Sequence, residues 1–130
     1  MKQHELELIN KLRRISKEEA AEFLTREFPA GSQLSGTALV AIRRISWPKA
    51  QQMLLAEHYL SNLPHSTSVW YDAFLTFMSV SNFLRAIRKI EINIDDLSLL
   101  EYYLRGSFSR LSVSDNEKEK IEQYFLSLKS

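Results

Sequence analysis

The run from Val69 to Ile90, VWYDAFLTFMSVSNFLRAIRKI, restricts the possible folds more than any other stretch of the chain. It is the longest apolar-dominated run without Pro or Gly. Trp70, Ala73, Phe74, Phe77 and Met78 recur at three- and four-residue steps, the spacing that lines side chains along one face of an α-helix. After Ser79-Val80-Ser81 the pattern resumes with Phe83, Leu84, Ile87 and Ile90. The spacing predicts two apolar helices joined by almost no loop, a core hairpin in which Trp70, Phe74 and Phe77 are buried. Nothing in the run is a catalytic signature.

The rest of the chain points to the same fold class. Three Gly and three Pro in 130 residues are too few for a β protein, which needs a turn roughly every ten residues. Apolar residues make up 45% and charged residues 25%, the balance of an ordinary soluble domain. We expect a single all-α domain over residues 1–130, with about eight short helices in a compact bundle of helical hairpins or a short α-solenoid-like superhelix.

Residues 2–15 read as a first helix with Leu6, Ile9 and Leu12 inward and Leu8 and Ile15 flanking. Ser16-Lys17-Glu18-Glu19 has the spacing of a capping box and opens a second helix that runs to about Phe28. Pro29-Ala30-Gly31-Ser32 ends it. A third helix from about Thr37 carries Leu39, Val40, Ile42 and Ile45, with Trp47 nearby. Pro48 suits the first turn of a fourth, which offers Ala50, Met53, Leu54 and Leu60 to the core and closes at Asn62-Leu63-Pro64-His65. Ser66, Thr67 and Ser68 supply caps for the core hairpin. Glu91-Ile92-Asn93-Ile94 alternates, but it is too short and unpartnered for a strand and reads as a connector with apolar anchors. Asp95 or Asp96 caps a helix containing Leu97, Leu100, Tyr103 and Leu104, which Gly106 interrupts or ends. Ser114-Asp115-Asn116-Glu117 opens the last helix, with Ile121, Tyr124, Phe125 and Leu128 inward.

Chemistry-bearing patterns are sparse. The absence of cysteine removes disulfides and thiolate metal sites, and suits a reducing cytoplasm. His4, His58 and His65 lack metal-ligand spacing, so no metal and no cofactor are expected. The loop GSQLSGT lacks the GK[ST] ending and the preceding strand of a phosphate loop. No serine sits in a nucleophile motif, and Asp95-Asp96 at a helix start reads as a cap and its companion in preference to an acid–base pair. The chain is therefore not expected to be an enzyme. The charged, periodic amino terminus is unlike a signal peptide, and no window approaches the roughly eighteen apolar residues of a spanning helix. A soluble, cytoplasmic protein without a membrane partner is the expectation.

Two kinds of surface remain. Arg13-Arg14, Arg43-Arg44-Lys49 and Arg85-Arg88-Lys89 form basic clusters on helices, and the last group shares one flank, as phosphate tracking requires. A net charge of +1 is too small for a strongly basic nucleic-acid binder, and solvation of helix flanks explains such clusters equally well. The other kind sets tyrosines beside carboxylates, in Tyr71-Asp72 and Glu101-Tyr102, with Asp95 and Asp96 close by in sequence. Acid-flanked tyrosines make effective anchors for a basic protein partner. Tyr71 and Tyr102 lie off the apolar stripes of their helices and are expected to be exposed. Tyr71, Asp72, Asp95, Asp96, Glu101 and Tyr102 are the candidate partner-binding residues.

The carboxy-terminal half, YDAFLTFMSVSNFLRAIRKI followed by LLEYYLRGSFSRLSVSDNEKEKIEQYF, together with the cysteine-free chain, resembles the small all-α immunity proteins of bacterial contact-dependent inhibition and polymorphic toxin systems. The likeness covers roughly residues 45–128. It implies a non-enzymatic cytoplasmic protein that binds one cognate toxin domain, often a nuclease, and occludes its active or substrate-binding site. Members vary widely, so no functional residue carries over by motif. Immunity proteins against basic nucleases are commonly acidic and this chain is not, so attraction would come from a local patch. A nucleic-acid-binding regulator and an all-α adaptor or scaffold subunit are the alternatives.

Overall fold

The computed structural model describes residues 2–61 and 68–129, and every regular element among them is helical. In chain order these are α1 (Gln3–Arg13), α2 (Lys17–Glu27), α3 (Ser35–Arg44), α4 (Lys49–Tyr59), α5 (Val69–Leu75), α6 (Val80–Arg88), a 3-10 turn (Ile94–Asp96), α7 (Leu97–Ser109) and α8 (Asp115–Ser127). The all-α expectation of about eight short helices therefore holds among the described residues.

The helix contacts sort into two rows. α1 packs on α3, α3 on α5 and α5 on α7, while α2 packs on α4, α4 on α6 and α6 on α8. Each helix thus meets the one two places further along, the pattern of helical hairpins stacked one on the next. The rows also join, since α5 touches both α4 and α6. Between them runs one apolar core that includes Leu12, Leu24, Ile42, Leu55, Phe74, Phe83, Ile87, Leu104 and Phe125.

Local chemistry explains three of the helix starts. The Ser16 hydroxyl accepts from the Glu19 amide at 3.1 Å and that of Ser79 from the Asn82 amide at 3.1 Å. A complete capping box stands at α8, where Ser114 Oγ accepts from the Glu117 amide and Glu117 Oε1 from the Ser114 amide. At the end of α2, Tyr59 Oη lies 3.1 Å from the Leu24 carbonyl and 2.9 Å from that of Phe28. That hydroxyl reaches the Phe28 carbonyl just past the helix and the Leu24 carbonyl, which also accepts from the Phe28 amide at 2.8 Å. The Tyr59 ring stacks on Trp70 at 4.9 Å, and Trp70 in turn on Phe74 at 6.2 Å.

The core hairpin forms as α5 and α6, separated by only a few residues. Phe74 is fully buried, whereas Trp70 and Phe77 are half-buried at the core's edge. In α4 the inward face is Leu55, Ala56, Tyr59 and Leu60, while Leu54 and Ala50 are exposed and Met53 is half-buried. The reason is that α2, α5 and α6 surround α4, so its buried face is wider than, and turned from, a single stripe. In α1 the buried residues are Leu8, Ile9 and Leu12, with Leu6 at the surface. Gly106 neither ends nor interrupts α7, which continues to Ser109. Of the connector's two anchors only Ile92 packs on the core, and Ile94 is 79% exposed. The expected closure of helix four at residues 62–65 and the caps Ser66 and Thr67 lie outside the described residues.

Candidate partner-binding site

α7 closes the odd-numbered row, so one side of it has no further helix stacked on it among the described residues. The turn leading into α7 is built by Asn93, whose Oδ1 accepts from the Asp95 amide at 3.1 Å. It leaves Ile94 and Asp95 exposed and Asp96 half-buried, in the position before the first turn of α7. Asp96 makes no side-chain cap bond there, so it marks the helix start without closing it.

Within α7, Leu100, Leu104, Ser107 and Phe108 turn inward. Leu99 and Tyr102, three positions apart, share the outer face. Tyr102 is 71% exposed, with its ring edge-on to Tyr103 at 5.2 Å. Beside it, Glu101 stands 3.7 Å from Arg105 Nε and 3.9 Å from Lys129 Nζ. Arg105 reaches on to Glu122 on α8 at 2.9 Å and lies over the Phe125 ring at 4.1 Å. These pairs join α7 to α8. Leu126, 66% exposed, lies on α8 between Glu122 and Lys129.

Past Tyr102 lies a second ionic group. Arg110 Nη2 donates to both carboxylate oxygens of Asp72, at 2.8 and 2.9 Å, and to Ser68 Oγ at 2.9 Å. Ser68 Oγ also donates to Asp72 Oδ2 at 3.1 Å. Burial alone would raise the Asp72 carboxyl, but hydrogen bonds from Arg110, Ser107 and Ser68 and the Arg110 charge outweigh it and hold it below its ordinary value. Ser68, Tyr102, Tyr103, Gly106 and Arg110 line one shallow depression of about 530 Å³. Tyr102 and the Asp72–Arg110 pair therefore share one stretch of surface.

Tyr71 does not belong to this surface. It is fully buried, against the expectation that it would be exposed. α5 is enclosed by α3, α4, α6 and α7, so Tyr71, Ala73, Phe74 and Leu75 are all buried, and only Val69 and Asp72 leave part of their surface to solvent beside the half-buried Trp70. Of the six expected residues, Asp95 and Tyr102 are exposed on the outer side of the turn and α7, with Asp96 and Glu101 half-buried beside them. Asp72 reaches that surface through Arg110 and Ser68. Arg110, Arg105, Leu99 and Leu126 carry no sequence signal of their own. Arg110 stands 38 residues from Asp72, and only the stacking of α7 on α5 joins them.

The basic clusters separate into two regions. Arg13 donates to the Arg44 carbonyl at 3.1 Å, which brings the ends of α1 and α3 together with their cations. Cations at helix carboxy termini also complement the helix dipoles. Arg85, Arg88 and Lys89 face α8 across a groove. Among the described residues no group of three or more His, Asp or Glu side chains is placed to hold a metal ion, and no helix is long and apolar enough to cross a membrane. No protein-family model, curated protein or solved structure matches the chain.

Proposed function

We propose that this chain is a non-catalytic immunity protein that acts in the bacterial cytoplasm, where it binds a cognate toxin domain and occludes its active or substrate-binding site. The observation that carries the reading is Tyr102, an aromatic ring 71% exposed on the outer face of α7 with Leu99 beside it and Asp95, Asp96 and Glu101 around it. Large apolar side chains left at the end of a stacked array favour a partner, because terminal helices that face water are ordinarily polar there. A tyrosine adds contact area at little entropy cost, and carboxylates at the rim speed the approach of a basic surface. Nuclease domains, which must hold phosphates, present such surfaces. Glu101 is already countered by Arg105 and Lys129, so the charge free to act on this face comes from Asp95 and Asp96, which have no ion pair among the described residues, with Asp95 the more exposed.

The test is rescue. The toxin domain encoded directly upstream of this reading frame is expressed with and without the chain, and growth is followed. Protection by the wild type, lost or greatly weakened in Tyr102→Ala, is expected. Absence of protection by the folded wild type removes the immunity reading. Protection that survives Tyr102→Ala unchanged moves the contact away from α7.

A further inference from the structure

The even-numbered row carries a surface of opposite character. Between α6 and α8 lies a groove of about 540 Å³ lined by Arg85, Arg88 and Lys89 from one wall and Lys120 and Gln123 from the other. Lys120 joins the cluster only through the packing of α8 on α6, so four cations converge where the chain order shows three.

Their charges are poorly countered. Lys120 Nζ donates to the neutral Ser81 hydroxyl at 2.8 Å. Arg88 lies over the Tyr124 ring at 5.8 Å. Arg85 is exposed and makes no hydrogen bond or ion pair with the described residues. Among the described residues, only Lys89 of the four has a carboxylate partner, Glu57 at 2.8 Å. Gln123 donates to a carboxylate outside the lining, Glu119, at 3.5 Å. Between Asp72 and Glu91 the sequence holds no acidic residue at all, so the α6 wall supplies cations alone.

We infer that the α6–α8 groove is a second binding site, for the phosphodiester backbone of a nucleic acid. A row of guanidinium and ammonium groups along one helix, with a fourth across a groove, suits a repeating anion better than a single one. The lining contains no aromatic side chain, and Tyr124 beneath it is only 2% exposed. Bases therefore have no platform on which to stack, and contact is with phosphates, independent of sequence. This site does not depend on the toxin-binding reading, whose residues lie on α7 and the turn before it.

The full-length protein is titrated against a fluorescent mixed-sequence duplex DNA at a series of salt concentrations. Four phosphate contacts give a slope of log K against log salt of about −3.6, which is about 150-fold weaker binding between 50 and 200 mM salt. The double variant Arg85→Ala/Arg88→Ala should halve that slope, leaving about a twelve-fold loss over the same range. Glu57→Gln frees Lys89 and should tighten binding at every salt concentration, a gain that impaired folding cannot imitate. The pair Arg13→Ala/Arg43→Ala, at the other basic region, should leave the slope unchanged. No binding at low salt overturns the proposal. So do a slope insensitive to Arg85 and Arg88, equal affinity for a poly-glutamate peptide, and complete displacement by millimolar inorganic phosphate at constant ionic strength.

Discussion

Arg110 closes on Asp72 across 38 residues of chain, its Nη2 lying 2.8 and 2.9 Å from the two carboxylate oxygens. The pair fastens the end of α7 to the first turn of α5, and Ser68 completes it from the residue before α5. Its side chains are 31% and 54% exposed, so its contribution lies in the range of about 0.2–1 kcal/mol found for partly solvated ion pairs. In a double-mutant cycle of Asp72→Asn and Arg110→Ala by urea unfolding, we expect a coupling energy within that range. Strictly additive losses would show that the two charges stand together without interacting. The pH dependence has a definite sign. The folded-state carboxyl is depressed from 3.8, so its stabilisation is complete above that pH and is lost as pH falls through the lower folded value. Asp72→Asn should lack that part of the acid sensitivity.

Tyr71 and Tyr102 looked alike in the sequence, each beside a carboxylate and off the main stripe, and the fold gives them opposite roles. Tyr71 is 0% exposed and Tyr102 71%. Tyr71→Ala should cost about 3–5 kcal/mol, the range for truncating a buried aromatic. Tyr102→Ala should change stability by no more than about 0.5 kcal/mol, as surface substitutions do. Denaturant unfolding of the two variants checks both values, and comparable losses would place Tyr102 in the folding core.

His58 gives the fold a pH dependence near neutrality. Its Nε2 accepts from the Ala30 amide at 3.2 Å, which requires the unprotonated ring nitrogen. Burial lowers its pKa from 6.5, and a hydrogen bond with the Phe28 backbone only partly opposes this. The folded state thus binds the proton more weakly than the unfolded chain. Stability from this group is complete above about pH 6.5 and is lost as pH falls towards the folded-state value. Thermal unfolding of the wild type and His58→Gln at about pH 7 and pH 5 should show a larger acid loss in the wild type. Parallel behaviour of the two proteins would remove His58 as the cause.

How much of this was legible depended on the range of the interaction. Ser16, Ser79 and Ser114 announce helix starts because a cap satisfies donors three residues away, within reach of local pattern. The α5–α6 hairpin was legible because its apolar residues are dense and uninterrupted. Which face turns inward was legible for α6 and α8, whose stripes are well defined, and less so for α4 and α5. α8 buries Ile121, Tyr124 and Phe125 as its stripe predicts, whereas α4 and α5 are surrounded, and Leu54 and Tyr71 fall on the unexpected side. At the candidate site Tyr102, Asp95 and their neighbours were found because they are close in sequence. Arg110 at Asp72 and Lys120 at Ser81 were not, since each pair meets only after the hairpins stack.

Two further tyrosines separate a hydroxyl that works from one that does not. Tyr59 Oη is within 3.1 Å of the Leu24 carbonyl and 2.9 Å of the Phe28 carbonyl, and its loss removes one hydrogen bond while the Leu24 carbonyl keeps the Phe28 amide. Tyr59→Phe should therefore cost about 0.5–1.5 kcal/mol. The Tyr124 hydroxyl is buried without a hydrogen-bond partner among the described residues, and burial pushes its pKa upward, with Tyr71 adding to the effect and Arg88 opposing it. Removing an unsatisfied polar atom leaves the ring packed on Phe125 and takes away only a desolvated group. Tyr124→Phe should leave stability unchanged or raise it. Equilibrium unfolding of the two Phe variants under one set of conditions checks the contrast. A loss in Tyr124→Phe as large as that in Tyr59→Phe would show that the Tyr124 hydroxyl does find a partner in solution, with a buried water the first to look for.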